Sequence, residues 1–333
     1  MRHEVMFYTK GPEEQVNCKV CPRLCNIAPG KRGFCRVREN VGGTLYAVNY
    51  AECSSYALDP IEKKPLYHFY PGQLILSLGT VGCNLRCGFC QNWQIAQGTP
   101  QTTRLEPEQA VELALQQRER GYPCVGLAYT YSEPFMWYEY VYDTARLAHD
   151  AGLKNVLVTN GYVNEQPLQT LLPYIDAMNI DVKAFTDDFY RSTCAGRLEP
   201  VLRTVETVYG QCHMEITTLL VTGLNDSPEE IKRLVDWLAG IDPNIPLHFS
   251  RYFPNYKLDL PPTSEETMKM AKNLARQQLR YVYLGNVPQL AAADTTCPGC
   301  GSILINRQGY QTQIGELGGG VCLECGKKIP VIM

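Results

Sequence analysis

The chain has 333 residues, 45% of them apolar, enough for one large core with small appendages. A formal net charge of −3 gives no global basic field for nucleic acid, and no stretch is long and apolar enough for a bilayer. Fifteen cysteines, with no apolar signal core in Met1-Arg2-His3-Glu4-Val5-Met6, read as metal ligands in a reducing cytoplasm rather than as disulfides.

Eleven cysteines fall into three clusters, while Cys53, Cys124, Cys194 and Cys212 are scattered and read as small buried hydrophobes. The first cluster is Cys18, Cys21, Cys25 and Cys35, in a run punctuated by Pro22, Pro29, Gly30 and Gly33. Little in that run suggests a core of its own, so four thiolates around a metal would supply folding energy directly. Zinc and an auxiliary iron–sulfur cluster both suit four soft ligands. From Thr44 to about Pro71 the chain reads as strand and connector, ending in Asp59-Pro60-Ile61-Glu62-Lys63-Lys64-Pro65-Leu66.

Leu74-Ile75-Leu76-Ser77-Leu78 is short and apolar, as a buried parallel strand should be. The loop that leaves it carries Cys83, Cys87 and Cys90. Strand-end loops are where α/β sheets and barrels place their chemistry. A cubane cluster usually takes four thiolates, so three from one loop would leave an iron with an open position. Zinc is the competing reading, but Cys83 has no fourth partner nearby in sequence.

Alternation then sets in. The pattern predicts strands at 124–129, 155–159, 177–182, 214–221, 246–249 and 281–284. It predicts helices at 107–120, 134–151, from Gln166, and at 198–209, 227–239 and 264–279. With the first strand this makes seven strands with helical crossovers, an α/β class that right-handed connections close into a full or partial barrel. Polar residues stand at the strand ends where apolar ones would suffice for packing: Ser132 and Glu133, Asn160, Asp181 with Lys183, and His248. Asp181 and Lys183 share one face of their strand, so their charges must pair or meet a charged ligand. Glu133-Pro134 equally suits a helix N-terminus. After Gly285 the pattern stops, and Cys297, Cys300, Cys322 and Cys325 form two Cys-x2-Cys knuckles, each followed by glycine, as in a zinc ribbon or rubredoxin site.

The cluster loop, with Phe89 just before Cys90, resembles the signature of the radical S-adenosylmethionine (SAM) enzymes. The strand ends are similar to those of glycyl-radical-enzyme activases such as the pyruvate formate-lyase activase, with Tyr131 and Ser132 where those have two glycines. Cys21-Pro22-Arg23-Leu24-Cys25, Gly33-Phe34-Cys35 and the run from Asp59 to Leu66 resemble the AmmeMemoRadiSam-system radical SAM proteins. The resemblance implies a partial (βα)6 TIM-like barrel over 73–290. A Cys-rich metal-binding segment and connector would occupy 1–72, and a four-Cys zinc or iron domain 291–333. It implies a 4Fe-4S cluster on Cys83, Cys87 and Cys90 that binds and reductively cleaves SAM to a 5′-deoxyadenosyl radical. SAM contacts would come from Phe89, Ser132, Glu133, Asn160, Asp181, Lys183 and His248.

An electron donor such as flavodoxin or ferredoxin is expected, with hydrogen abstraction from a protein partner. A small-molecule reaction with the N-terminal metal as relay is an alternative. A third is a non-enzymatic metalloprotein that binds RNA through its ribbon. Arg307, Lys327 and Lys328 against Glu316 and Glu324 make too sparse a basic patch for that, and neither nucleic acid nor a membrane is an expected partner.

Overall fold

The computed structural model describes residues 2–290 and 293–333. Its main sheet has eight strands: β1 (Ser55–Pro60), β2 (Leu74–Gly79), β3 (Cys124–Tyr129), β4 (Lys154–Thr159), β5 (Ala177–Asp181), β6 (His213–Leu220), β7 (Leu247–Arg251) and β8 (Val282–Gly285). They neighbour one another in chain order, β2 to β8 all parallel. The edges β1 and β8 do not pair with each other among the described residues, so the barrel is open. The helices α1 (Pro107–Glu119), α2 (Tyr138–Asp150), α3 (Glu165–Leu171), α4 (Asp187–Thr193), α5 (Glu199–Val208), α6 (Pro228–Ile241) and α7 (Glu265–Ala275) follow the parallel strands. Their starts carry the local chemistry that sequence predicts. Glu106 and Gln109 form a capping box, and the Ser227 and Ser264 hydroxyls accept the N–H groups of Glu230 and Thr267.

Strand β1 lies within the stretch from Thr44 to about Pro71 that reads in sequence as strand and connector. It pairs antiparallel with β2 along its whole length, Ser55 opposite Gly79 and Pro60 opposite Leu74. Its proline and acid weaken the strand pattern in sequence, yet an edge strand tolerates a residue that cannot donate to the ladder. The chain then turns through Ile61–Lys63 and lies against inward-facing residues of the sheet. There Asn179 donates to the Pro65 carbonyl, the His68 N–H donates to Glu215, and Tyr67 packs on His248 and Tyr283.

The N-terminal segment does have a core. It forms two small antiparallel sheets, and its Val5, Val16, Val20, Ile27, Val37 and Leu45 are buried in the same cluster that packs the helices on the sheet. The run looked core-poor because its apolar residues are few and spread between turns. They become a core by sharing the barrel's.

The C-terminal segment builds a three-stranded sheet from Thr295–Thr296, Ile303–Gln308 and Gln311–Ile314, and docks on the open side of the barrel. Arg307, 4% exposed, donates to the Tyr67 carbonyl at 2.6 Å and stacks on the Tyr67 ring. The Tyr70 N–H donates to Ile332, and Ile332 returns a bond to the His68 carbonyl. Among the described residues no helix is long and apolar enough to cross a membrane.

Candidate metal and cofactor site

All the parallel strands end at one rim, and the loops leaving them line a cavity of about 260 Å³. Cys83, Cys87 and Cys90 form one side of it. Their loop is fastened from several directions. Arg86 and Gly88 donate backbone N–H groups to Cys194 and Thr193 at the end of α4, at 2.8 and 3.0 Å. The Asn160 amide, at the end of β4, donates to Cys83 Sγ at 3.6 Å and to Asn84 Oδ1 at 2.9 Å. Burial pushes the Cys83 thiol up and brings Cys90 to about 11; at Cys87 a hydrogen bond with the Cys194 thiol and burial act together. Without a metal these thiols hold their protons, and a metal that binds them would have to displace those protons.

Across the cavity, Lys183 pairs with Asp181 at 2.7 Å. Desolvation opposes its charge, but Asp181 and the thiols of Cys87 and Cys194 outweigh it and raise its pKa. Lys183 also stands 6.0 Å from the centre of the Phe89 ring, so the last position before Cys90 forms wall rather than solvent edge.

The β3 loop supplies Thr130 to Glu133. Tyr131 has φ of 66°, a conformation that favours glycine. Its hydroxyl donates to Asp59 at 2.7 Å, and Asp59 also takes Lys63 and Lys64, both at 2.8 Å, while Lys64 bonds Ser77. This network holds the strained residue in place. Glu133 lines the cavity, but three donors use its carboxylate: Thr159 at 2.7 Å, the Asn160 N–H at 2.9 Å and the Phe135 N–H at 3.1 Å. Burial nevertheless pushes it up to about 7. Glu133 therefore caps the turn before α2 and fixes Asn160, which fixes Cys83.

Of the strand-end residues singled out in sequence, Phe89, Ser132, Glu133, Asn160, Asp181 and Lys183 meet at this cavity. His248 does not. It is 3% exposed, its Nε2 lies 2.6 Å from Glu215, and the residue two further on, Ser250, reaches the cavity instead. Glu215 also holds His213 at 2.9 Å, and Tyr67 stacks edge-on to His248, so that imidazole belongs to a buried polar layer below the rim. Sequence reasoning missed Cys194 beside Cys87, and Thr217 and Asn286 in the wall; none carries a local motif.

The cavity suits a polar, charged cofactor. Ser132 Oγ and Thr217 Oγ1 are buried without hydrogen-bond partners, which a ligand's polar groups would supply. Three thiols, a zwitterionic pair and two free hydroxyls fit an iron–sulfur cluster and an amino-acid-bearing nucleoside such as SAM.

Two further thiol sets stand apart. Cys18, Cys21, Cys25 and Cys35 line an apolar pocket in the N-terminal segment. Cys297, Cys300, Cys322 and Cys325 have their sulfurs all within 4.8 Å of one another, as one tetrahedral metal ion requires.

A model of the "Radical SAM superfamily" matches residues 77–238. An "uncharacterized protein" of Methanocaldococcus jannaschii is 44% identical over 99% of both chains. The pyruvate formate-lyase-activating enzyme of Clostridium pasteurianum is 26% identical over 171 residues, 48% of this chain and 67% of that one. Among solved structures, Streptococcus suis SuiB bound to S-adenosylmethionine superposes with a TM-score of 0.53 at 14% identity, covering 70% of this chain and 54% of that one, a likeness of fold.

Proposed function

We propose that the chain is a radical SAM enzyme that reductively cleaves SAM and abstracts hydrogen from a protein substrate in the manner of an activase. The observation that carries this reading is the juxtaposition of Cys83, Cys87 and Cys90 with Asp181, Lys183 and two unpartnered hydroxyls around one cavity. Cys83, Cys87 and Cys90 would hold the cluster, which when bound supplies an open iron and the electron for SAM cleavage. Lys183 and Asp181 offer opposite charges to the carboxylate and ribose of SAM. Ser132 and Thr217 offer hydroxyls to its remaining polar groups. Glu133 and Asn160 act one step back, setting the Cys83 sulfur. Phe89, Leu85 and Leu219 make the wall apolar and keep water from a reactive carbon radical.

A protein substrate is favoured by the kinship with a pyruvate formate-lyase-activating enzyme. The runs around Cys21–Cys25 and Asp59–Leu66 favour the AmmeMemoRadiSam-system group within the superfamily. Flavodoxin or ferredoxin would serve as donor, and the tail site would hold zinc or iron. The test is anaerobic incubation with SAM and dithionite. The wild-type chain should release 5′-deoxyadenosine, faster with its protein partner than without. Cys83→Ala/Cys87→Ala/Cys90→Ala should release none. Persistent 5′-deoxyadenosine from that variant would overturn the reading.

A further inference from the structure

The N-terminal thiols share one pocket without gathering as closely as a single ion would draw them. Four thiolates on a single zinc ion, each about 2.3 Å from the metal, stand roughly 3.8 Å apart. The tail thiols do so, with sulfur pairs at 3.6 and 3.7 Å. Among the described residues, the tail set is the one group of three or more candidate ligands whose atoms all lie within 4.8 Å. No three of Cys18, Cys21, Cys25 and Cys35 meet that limit, although all four face one pocket. A four-iron cubane holds its thiolate sulfurs wider, roughly 6 Å apart, because the irons stand between them.

Arg38 is the second observation. It is 1% exposed and lines the same pocket; Nη1 pairs with Glu139, while Nε and Nη2 have no partner. Two unpartnered nitrogens on a buried guanidinium call for acceptors, and thiolate and sulfide sulfurs of an anionic cluster would provide them. The pocket also touches the cysteine loop of the main cavity. A Cβ on Gly82 would lie 2.8 Å from the Cys35 carbonyl oxygen, and Asn84, next to Cys83, lines the pocket.

We propose that Cys18, Cys21, Cys25 and Cys35 hold a second four-iron, four-sulfide cluster, hydrogen-bonded by Arg38, which passes electrons to the loop of Cys83, Cys87 and Cys90. The site stands on its own; the direction of electron flow rests on the radical SAM reading. One electron from a low-potential one-electron reductant takes its core from the 2+ to the 1+ state. The core returns to 2+ when that electron moves to the cluster of the main cavity, with no bond made or broken.

The test measures iron, acid-labile sulfide and zinc in the full chain purified anaerobically. The wild type should carry about eight sulfides, and both Cys83→Ala/Cys87→Ala/Cys90→Ala and, separately, Cys25→Ser about four. On dithionite reduction the triple variant should keep a paramagnetic signal that SAM does not alter. A wild type with about four sulfides, all lost in the triple variant, and with zinc that falls by about one ion in Cys25→Ser, would overturn the proposal and leave the radical SAM reading intact. Four sulfides that survive the triple variant but not Cys25→Ser would do the reverse. Should the triple variant fail to fold, the wild-type and Cys25→Ser counts decide alone. Arg38→Lys, which keeps the charge but loses the fork, should retain the sulfides and lower the midpoint potential of the N-terminal cluster. An unchanged potential would overturn the role given to Arg38.

Discussion

Replacing Gly82 by alanine perturbs the contact between the two cysteine-bearing loops with a single methyl group. Gly82 has φ of 91°, which costs an L-residue about 1–2 kcal/mol. The added Cβ would lie 2.8 Å from both the Cys35 oxygen and Val37 Cγ1. Neither neighbour can swing aside, since one is backbone and Val37 is buried, so one loop must shift at an overpacking cost of about 1–3 kcal/mol. The sum is about 2–5 kcal/mol, concentrated one residue from Cys83. Gly88→Ala is the control: it sits in the same loop with an ordinary φ and nothing within 4 Å of the added Cβ. The assays are urea unfolding, cluster content and 5′-deoxyadenosine formation. Gly82→Ala should lose stability in that range and slow SAM cleavage about ten-fold or more. Gly88→Ala should stay within about 0.5 kcal/mol of wild type. If the two variants behave alike and like the wild type, the close packing of the loops has no energetic meaning.

Glu133→Gln should destabilise by about 1–3 kcal/mol, because the new amide N–H2 turns a donor towards one of three existing donors. It should also raise the KM for SAM through Asn160, and an unaltered unfolding midpoint and KM would refute the capping role. Burial lowers His68 to about 3 from 6.5, and it sits neutral between the Pro330 carbonyl and the Tyr283 hydroxyl. The unfolded chain then binds the extra proton, so this stability is whole above about 6.5 and is lost as pH falls towards 3, by up to about 1.4 kcal/mol per pH unit. Urea midpoints between pH 7.5 and 5 should therefore fall more steeply for the wild type than for His68→Gln, and parallel slopes would count against it. Cys297→Ser should expose the tail to proteolysis while SAM cleavage stays nearly intact, since the tail ligands form a closed set; loss of iron from the barrel would show that the two are not separate.

The sequence by itself determined what depends on short spacing. Cys83, Cys87 and Cys90 on a strand-end loop, the two tail knuckles, and seven strands alternating with helices were all legible from residues within a few positions of each other. So was the shared face of Asp181 and Lys183, because a strand's period of two needs no partner. The tertiary structure decided distances between remote residues. Only the register of β6 beside β7 sets Glu215 within reach of His248 and turns that histidine inward from the rim. Only α4 brings Cys194 to Cys87, and only pairing with β2 makes Ser55–Pro60 a strand. The same holds for how the N-terminal thiols are placed. Four cysteines within eighteen residues suit zinc or a cubane equally as a list of ligands. Their separation in space, and the buried Arg38 that faces them, arise from how the two small sheets pack against the barrel, and that packing is not written in any local spacing.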